Sequence, residues 1–319
     1  MDKFQQEIDE RANLTSSNKF ELLLFRAGAA EEGAEAELFG INVFKIREIV
    51  PMQNITTAVG TQPPMMGMVN LRGQIIPVVD LSHVMNCKPA TGLNILLVTE
   101  YSRSTQAFAV ESVDEIVRLE WSQVMSAEAN TGGKFITSIA RLNVGENAGK
   151  LVQVLDVEQI IYDISPTARL VVDKEDDNTK IKLKEGTVVI AADDSRVARN
   201  LIEQGLTQMG LPFLMHKTGK EAWERLQELN LAMQKEGKTI YDKVALVLTD
   251  LEMPEMDGFT LTRNIKTDER FKSLPVVVHS SLSGAENEAH TKSVGADGYV
   301  GKFSASELSD AIRRVLEKK

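Results

Sequence analysis

The apolar positions of this chain follow two different patterns. Up to about residue 165 they come in short, β-branched runs: 20–28 (FELLLFRAG), 37–50 (ELFGINVFKIREIV), 75–81 (IIPVVDL), 94–101 (NILLVTEY), 106–119 (QAFAVESVDEIVRL) and 150–161 (KLVQVLDVEQII). Such runs at short, regular spacing predict the strands of a small antiparallel barrel or a pair of barrels. The Gly- and Glu-rich GAAEEGAEA between the first two runs cannot sustain a core strand and reads as a turn. Pro51, Pro63, Pro64 and Pro77 fit loops and edge strands, where a missing N–H costs little. Ahead of these runs, KFQQEIDERANL predicts one short amphipathic helix within 1–17, with Phe4, Ile8 and Arg11 along its inner side.

After residue 186 strands and helices alternate. TVVIAAD (187–193) is a continuous apolar run ending in acid, the pattern of a strand buried on both faces. A helix follows: Ser195 is its cap, Val197, Leu201, Ile202 and Leu206 share one face, and Gly210 closes it. PFLMHK, a helix from Gly219 to about Lys235, KVALVLTD (243–250), PVVVHSS (275–281), GYVGK (298–302) and a helix from Ser304 continue the series. This alternation predicts a parallel, doubly wound α/β sheet. Between the halves, 166–185 is dense in charge with little apolar periodicity, and reads as an extended solvated linker or a polar helix spanning the domains. The expected organisation is a helix at 1–17, an all-β domain at 18–165, a linker at 166–185 and an α/β domain at 186–319.

Composition narrows the class. Of 319 residues, 43% are hydrophobic and 26% charged, as in folded proteins. The 46 acidic and 36 basic residues give a net charge of −10, which argues against a nucleic-acid partner bound through phosphates. The excess lies in front: residues 1–185 hold 26 acidic and 18 basic residues, and 186–319 hold 20 and 18. The single cysteine, Cys87, excludes an internal disulfide and a multi-cysteine zinc site, and reads as a half-buried hydrophobe. No run approaches the ~18 apolar residues of a membrane span, and the polar N-terminus lacks a signal-peptide core. The expectation is a cytoplasmic protein with no direct membrane insertion. His83, the only histidine of the front half, sits in LSHVM, which reads as a strand-end turn.

Candidate chemistry lies in the rear half, where ligands of open parallel sheets sit beyond the carboxyl ends of the strands. The first strand ends in Asp193 and Asp194, the third in Asp250, the fourth in Ser280 and the fifth in Lys302. Singly, each has an ordinary reading: acids that cap a helix, an acid that opens a loop, a solvated lysine. Together they place three carboxylates, a hydroxyl and an ammonium at one edge. Such carboxylates repel unless a cation intervenes, and hard oxygen donors suit Mg²⁺. A carboxylate beside that ion can accept a phosphoryl group, whose oxygens the ion, the hydroxyl and the ammonium neutralise.

TVVIAADDS…VLTDLEMPEMDGF…VVVHSS…GYVGK resembles the CheY-like receiver domain of response regulators over roughly 186–319. The resemblance makes Asp250 the phosphoacceptor and Asp193 and Asp194 the metal-binding pair, with Asp250 itself also a metal ligand. The Glu252 backbone carbonyl is a further metal ligand, Ser280 and Lys302 stabilise the phosphoryl group, and Ser280 and Tyr299 form the switch. Separations of 30 residues from Asp250 to Ser280 and 22 from Ser280 to Lys302 agree with that family. There are departures. Residues 230–242 lengthen the exit of the second helix, as a partner surface or as a tolerated loop. Phe303 stands where receivers commonly have Pro. Leu282, two past Ser280, is apolar where a polar side chain orients water, so slow self-dephosphorylation is expected.

In the front half, GMVNLRGQIIPVVDL (67–81) has Gly67 and Gly73 for tight turns, Asn70 and Arg72 projecting from a bend, and Pro77 at an expected edge position. It resembles the NLRG-x-x-(I/V)-P-V-x-D-L signature of CheW-like coupling domains, and GINVFKIREIV (40–50) resembles their earlier strand and turn. This implies two linked five-stranded barrels that join chemoreceptor tips to a histidine kinase's regulatory domain, with Glu48, Asn70 and Arg72 at partner contacts. The two resemblances in this order are those of CheV-type chemotaxis coupling proteins. They imply a non-enzymatic adaptor, recruited to membrane receptor arrays and modulated by phosphoryl transfer from the kinase's phosphotransfer domain to Asp250. A phosphate sink that drains the kinase is the alternative. A Mg²⁺-dependent phosphatase of the haloacid-dehalogenase type would need an aspartate at 252, where Glu252 stands.

Overall fold

The computed structural model describes residues 20–31, 33–101, 104–127, 133–143, 147–164, 180–280, 291–302 and 305–317. The chain divides into two compact units, within Phe20–Arg169 and within Leu170–Lys319. The helix expected at 1–17, residue 165 and residues 166–179 of the charged segment fall outside the described residues.

The first unit is β-rich, as expected. Its strands are β1 (Phe20–Arg26), β2 (Leu38–Asn42), β3 (Ile46–Pro51), β4 (Met65–Leu71), β5 (Gln74–Asp80), β6 (Ile95–Tyr101), β7 (Ser104–Val110), β8 (Ser112–Leu119), β9 (Val124–Ser126), β10 (Ile136–Arg141) and β11 (Leu151–Leu155). They form a six-stranded sheet, β8-β1-β2-β11-β10-β9, and a five-stranded one, β3-β6-β7-β5-β4. Each sheet has its own core. Leu22, Leu24, Leu38, Val152 and Val154 fill one, and Val69, Ile76, Val78, Leu96 and Val98 the other. The six-stranded sheet gains its extra strand from β9, three residues that pair with β10.

Several local expectations change. The run 150–161 is not one strand: after β11, helix α2 (Val157–Ile164) begins, because Asp156 Oδ1 accepts from the Gln159 N–H at 2.9 Å and caps it. LSHVM forms a one-turn helix, α1 (Leu81–Met85), capped by Asp80 on the His83 N–H. Pro77 lies in an interior strand, not an edge. The parallel ladder from β5 to β7 starts at Val78, one residue later, and the Pro77 carbonyl accepts from Gln106 Nε2 at 2.7 Å. Gly67 is within β4 rather than in a turn. A Cβ there would lie 2.4 Å from the Thr56 carbonyl oxygen, so glycine lets that segment pair closely alongside the strand through an antiparallel Thr56–Met68 bridge.

The second unit is the parallel doubly wound sheet. Strands β12 (Val188–Ala192), β13 (Phe213–His216), β14 (Val244–Thr249), β15 (Val276–Ser280) and β16 (Gly298–Gly301) lie in the order β13-β12-β14-β15-β16. In β12, Val189 and Ala191 enter one core with Ile202 and Leu206 of α3 (Arg196–Gln208) and Leu308 and Ile312 of α6 (Ala305–Glu317). Ile190 and Ala192 enter the opposite core with Ala222 and Leu226 of α4 (Gly219–Lys235) and Leu261 and Ile265 of α5 (Gly258–Thr267). Burial on both faces explains the unbroken apolar run.

The segment 230–242 is built into this fold. Its first residues complete α4, and a 3₁₀ turn, Ile240–Asp242, sends Ile240 into the core. The end of the charged segment is docked along one face while its charged residues stay exposed. Ile181 and Leu183, alternating with lysines, pack on the core of α3 and α6, and the Ile181 N–H donates to the Met209 carbonyl at 3.0 Å.

Candidate functional site

β12 and β14 are central neighbours, and their order places the ends of both at the topological switch of the sheet. The ladder runs one bond further on each side: the Asp193 N–H donates to the His216 carbonyl at 3.2 Å, and the Asp250 N–H to the Ala192 carbonyl at 2.9 Å. The two acids are thereby fixed side by side. Asp193 Oδ1 accepts from the Ser195 N–H at 2.9 Å, and Ser195 Oγ accepts from the Ala198 N–H at 3.4 Å, capping α3. Asp250 Oδ1 accepts from the Leu251 N–H at 2.7 Å. One carboxylate oxygen from each of Asp193, Asp194 and Asp250 lies within 4.8 Å of the others.

Lys302 closes the cluster. Its N–H donates to the Ser280 carbonyl at 2.8 Å, extending the β15–β16 ladder. Its Nζ reaches Asp250 Oδ2 at 2.7 Å and Asp193 Oδ2 at 2.9 Å. Asp193, Asp250, Ser280 and Lys302 are buried, and Asp194 is half-buried. A buried ammonium is tolerated only when paired, and here it has two carboxylate partners. Three carboxylates and one ammonium sum to −2. The donor set is oxygen alone, without thiolate or imidazole, and one side of it is half-open. These residues fit a small, hard divalent cation that keeps some of its water.

The surroundings hold the site in place. Gly258 starts α5 directly behind Asp250, and a Cβ there would lie 2.0 Å from the Asp250 carbonyl oxygen. Asp257 caps that helix through the Thr260 N–H at 2.7 Å, and burial pushes its carboxyl above the ordinary range. His216, at the end of β13, is pulled below its ordinary value by burial. Tyr299 is half-buried against Leu251, Phe259 and Val278. Glu252 is half-buried in the loop leaving Asp250. Leu282 and Phe303 lie outside the described residues. Gly258 was not singled out from the sequence. Its signal is the Asp-Gly pair that ends MPEMDG, but only the approach to Asp250 gives it meaning.

In the first unit, Glu48 is on β3 and Arg72 in the two-residue turn between β4 and β5, with Arg72 Nη2 3.0 Å from Glu48 Oε2. Arg72 and Gly73 both have left-handed φ, 51° and 86°, as hairpin turns of this length require. The Arg72 side chain is 85% exposed and Glu48 largely covered. The ion pair adds little stability in water and leaves the guanidinium presented to solvent. Asn70 is exposed, but its Oδ1 accepts from the Gly73 N–H at 2.9 Å and braces the turn. His83 is exposed on α1 and Cys87 is half-buried, with its thiol pushed up by burial. No helix among the described residues is long and apolar enough to cross a membrane.

Known proteins give the same division. The family model for the CheW-like domain matches residues 21–165, and that for the response regulator receiver domain matches 189–313. Chemotaxis protein CheV2 of Helicobacter pylori is 29% identical, with 98% of this chain and 99% of the relative covered. CheV3 of the same organism is 29% identical over 97% and 99%, and CheV1 is 27% identical over 97% of each. Receiver domains generally bind Mg²⁺, and neither they nor CheV proteins are known as catalytic enzymes. CheW-like domains in general couple receptors to the chemotaxis kinase. With a CheW-like domain followed by a receiver domain along its whole matched length, the chain belongs to the CheV-type chemotaxis coupling proteins.

Proposed function

We propose that Asp250 is the phosphoacceptor of this coupling protein, that Asp193, Asp194, Asp250 itself and the Glu252 backbone carbonyl hold Mg²⁺, and that its phosphorylation modulates coupling of chemoreceptor tips to the histidine kinase. The observation that carries this reading is the buried convergence of Asp193, Asp250 and Lys302 with half-open Asp194 at the strand ends. A carboxylate oxygen of Asp250 forms a bond to phosphorus as the phosphorus–nitrogen bond of the kinase's phosphohistidine breaks, its electron pair passing to the imidazole. The metal ion, when bound, supplies positive charge to the phosphoryl oxygens. Lys302, 2.7 Å from Asp250 Oδ2, stands beside the acceptor and supports the same oxygens. Ser280, at the end of the neighbouring strand, follows the phosphoryl group inward, and Tyr299 takes up the space.

The phosphoryl group adds about −1.5 to −2 charges. The protein acts as acceptor and adaptor, without turnover of its own, in the cytoplasm at membrane receptor arrays. Glu48, Asn70 and Arg72 belong to its partner surface, where exposed charge sets encounter rate and specificity. The test is kinase activity in reconstituted receptor–kinase complexes holding the full chain, with and without phosphodonor and with no competing regulator. A phosphodonor-dependent change that Asp250→Asn abolishes supports modulation. No change in the parent protein contradicts it and leaves only drainage of phosphate.

A further inference from the structure

Helix α3 starts against the usual electrostatics. The positive end of a helix dipole favours acids, yet the first turn of α3 has none and begins with Arg196, and Arg199 follows one turn from the Ser195 cap. Arg196 is exposed. Arg199 is half-buried and turns back past the helix start, where its Nη1 donates to the Asp193 carbonyl at 2.9 Å and the Asp194 carbonyl at 2.7 Å.

These two carbonyls belong to the peptide planes on either side of the Asp194 Cα. A single nitrogen that donates to both ties the two peptide planes together and so restrains the backbone dihedrals of Asp194. Those dihedrals set the direction of the Asp194 side chain, whose oxygen lies within 4.8 Å of those of Asp193 and Asp250. The guanidinium also places a positive charge near the acids, which by itself repels a divalent cation.

We propose that Arg199 is a positioning residue that aims Asp194 into the Mg²⁺ site by clamping the carbonyls of both acids, at some electrostatic cost to the ion. This rests on the assignment of Asp193 and Asp194 as metal-binding residues made above. The two effects of Arg199 have opposite signs, so the direction of a change separates them. Loss of positioning weakens Mg²⁺ binding, whereas loss of the charge alone tightens it.

The experiment titrates the full chain with Mg²⁺ alone by calorimetry, and follows backbone amide exchange of the metal-free protein over the peptide 193–199. Arg199→Ala weakens Mg²⁺ about tenfold or more, as loss of ligand-orienting partners does. Arg199→Lys, which keeps the charge on a shorter and less rigid side chain, recovers only part of the affinity. Exchange over 193–199 rises in Arg199→Ala while exchange in β14 stays as in the parent; a general loss of stability moves both. If Arg199→Ala binds Mg²⁺ as tightly as the parent or more tightly, while Asp194→Asn loses binding, the positioning role is overturned and the metal site stands. If neither the parent nor Asp194→Asn binds Mg²⁺, the metal-site reading is overturned, and unchanged exchange in Arg199→Ala would remove the clamp as well.

Discussion

Gly258→Ala tests how tightly the phosphoacceptor loop is closed. Gly258 is the first residue of α5, and its φ is not left-handed, so only space decides the outcome. The added Cβ lies 2.0 Å from the Asp250 carbonyl oxygen, 2.9 Å from its carbon and 3.0 Å from the Leu251 Cα. All three are main-chain atoms, so no rotamer relieves the contact. Because real Cβ atoms essentially never come under 3.0 Å, the start of α5 and the Asp250 peptide must separate by at least 1.0 Å (3.0 less 2.0). The Gly258 N–H bond to the Leu251 carbonyl, at 2.9 Å, holds the same two segments together and opposes that movement.

Against this, a glycine replaced at a compatible site gains about 0.4–1 kcal/mol from the unfolded chain. Overpacking costs about 1–3 kcal/mol, and a clash with backbone alone takes the upper end. The net expectation is a loss of about 2 kcal/mol. Gly205→Ala is the control, in the middle of α3 with Leu308 Cδ2 nearest at 3.8 Å, and should gain roughly 0.5–1 kcal/mol. The assay is denaturant unfolding followed by Trp223, which packs edge-on against Phe271 at 5.4 Å, with Trp121, the other tryptophan, replaced by Phe. Phosphorylation of Gly258→Ala by a small phosphodonor should slow in parallel. An unfolding free energy within about 0.5 kcal/mol of the parent, the range of unremarkable substitutions, would refute the reasoning.

The other predictions concern charge and the tether. Lys302→Met strands two buried carboxylates and should cost about 3–5 kcal/mol in the same assay, with part returned by Mg²⁺; a loss below about 1 kcal/mol contradicts the ion triad. Asp242 should titrate at about 2 rather than 3.8, chiefly because the Lys184 ammonium lies at 2.6 Å, with the Thr239 N–H and hydroxyl adding to it. Since the folded value is the lower one, its contribution is present above pH 3.8 and lost as pH falls towards 2. Carboxyl carbon shifts read that midpoint, and Lys184→Met should move it upwards. Ile181→Ser with Leu183→Ser should cost the receiver about 1–2 kcal/mol of apolar burial; a purely solvated tether predicts no change.

The rear half was legible because its central strands, β12, β14 and β15, are buried on both faces. VVIAA in β12 serves two cores, so its apolar run cannot be mistaken for a half-exposed strand, and its polar terminus marks the site. The front half was less open. In β10 the inward positions are Ile136, Ser138 and Ala140, while Ile139 faces outward, so the alternation is nearly inverted and the strand was missed. Asp156 ends a β-branched run by capping α2, a tertiary choice that β-propensity does not carry. Ile181 and Leu183 were hidden by their lysine neighbours: the same alternation that docks them reads as a charge run. At the site, strand ends placed Asp193, Asp250 and Lys302, but Gly258 and Arg199 act through distances to backbone atoms, which sequence spacing does not report.

The central claim is that the acids around Lys302 form a Mg²⁺-dependent phosphoacceptor with Asp250 at its centre. Intact-mass measurement of the full chain after incubation with a small phosphodonor tests it most directly. The account predicts one added phosphoryl group when Mg²⁺ is present, none when it is chelated, and none in Asp250→Asn. Labelling that persists in Asp250→Asn, or that is indifferent to Mg²⁺, would contradict it.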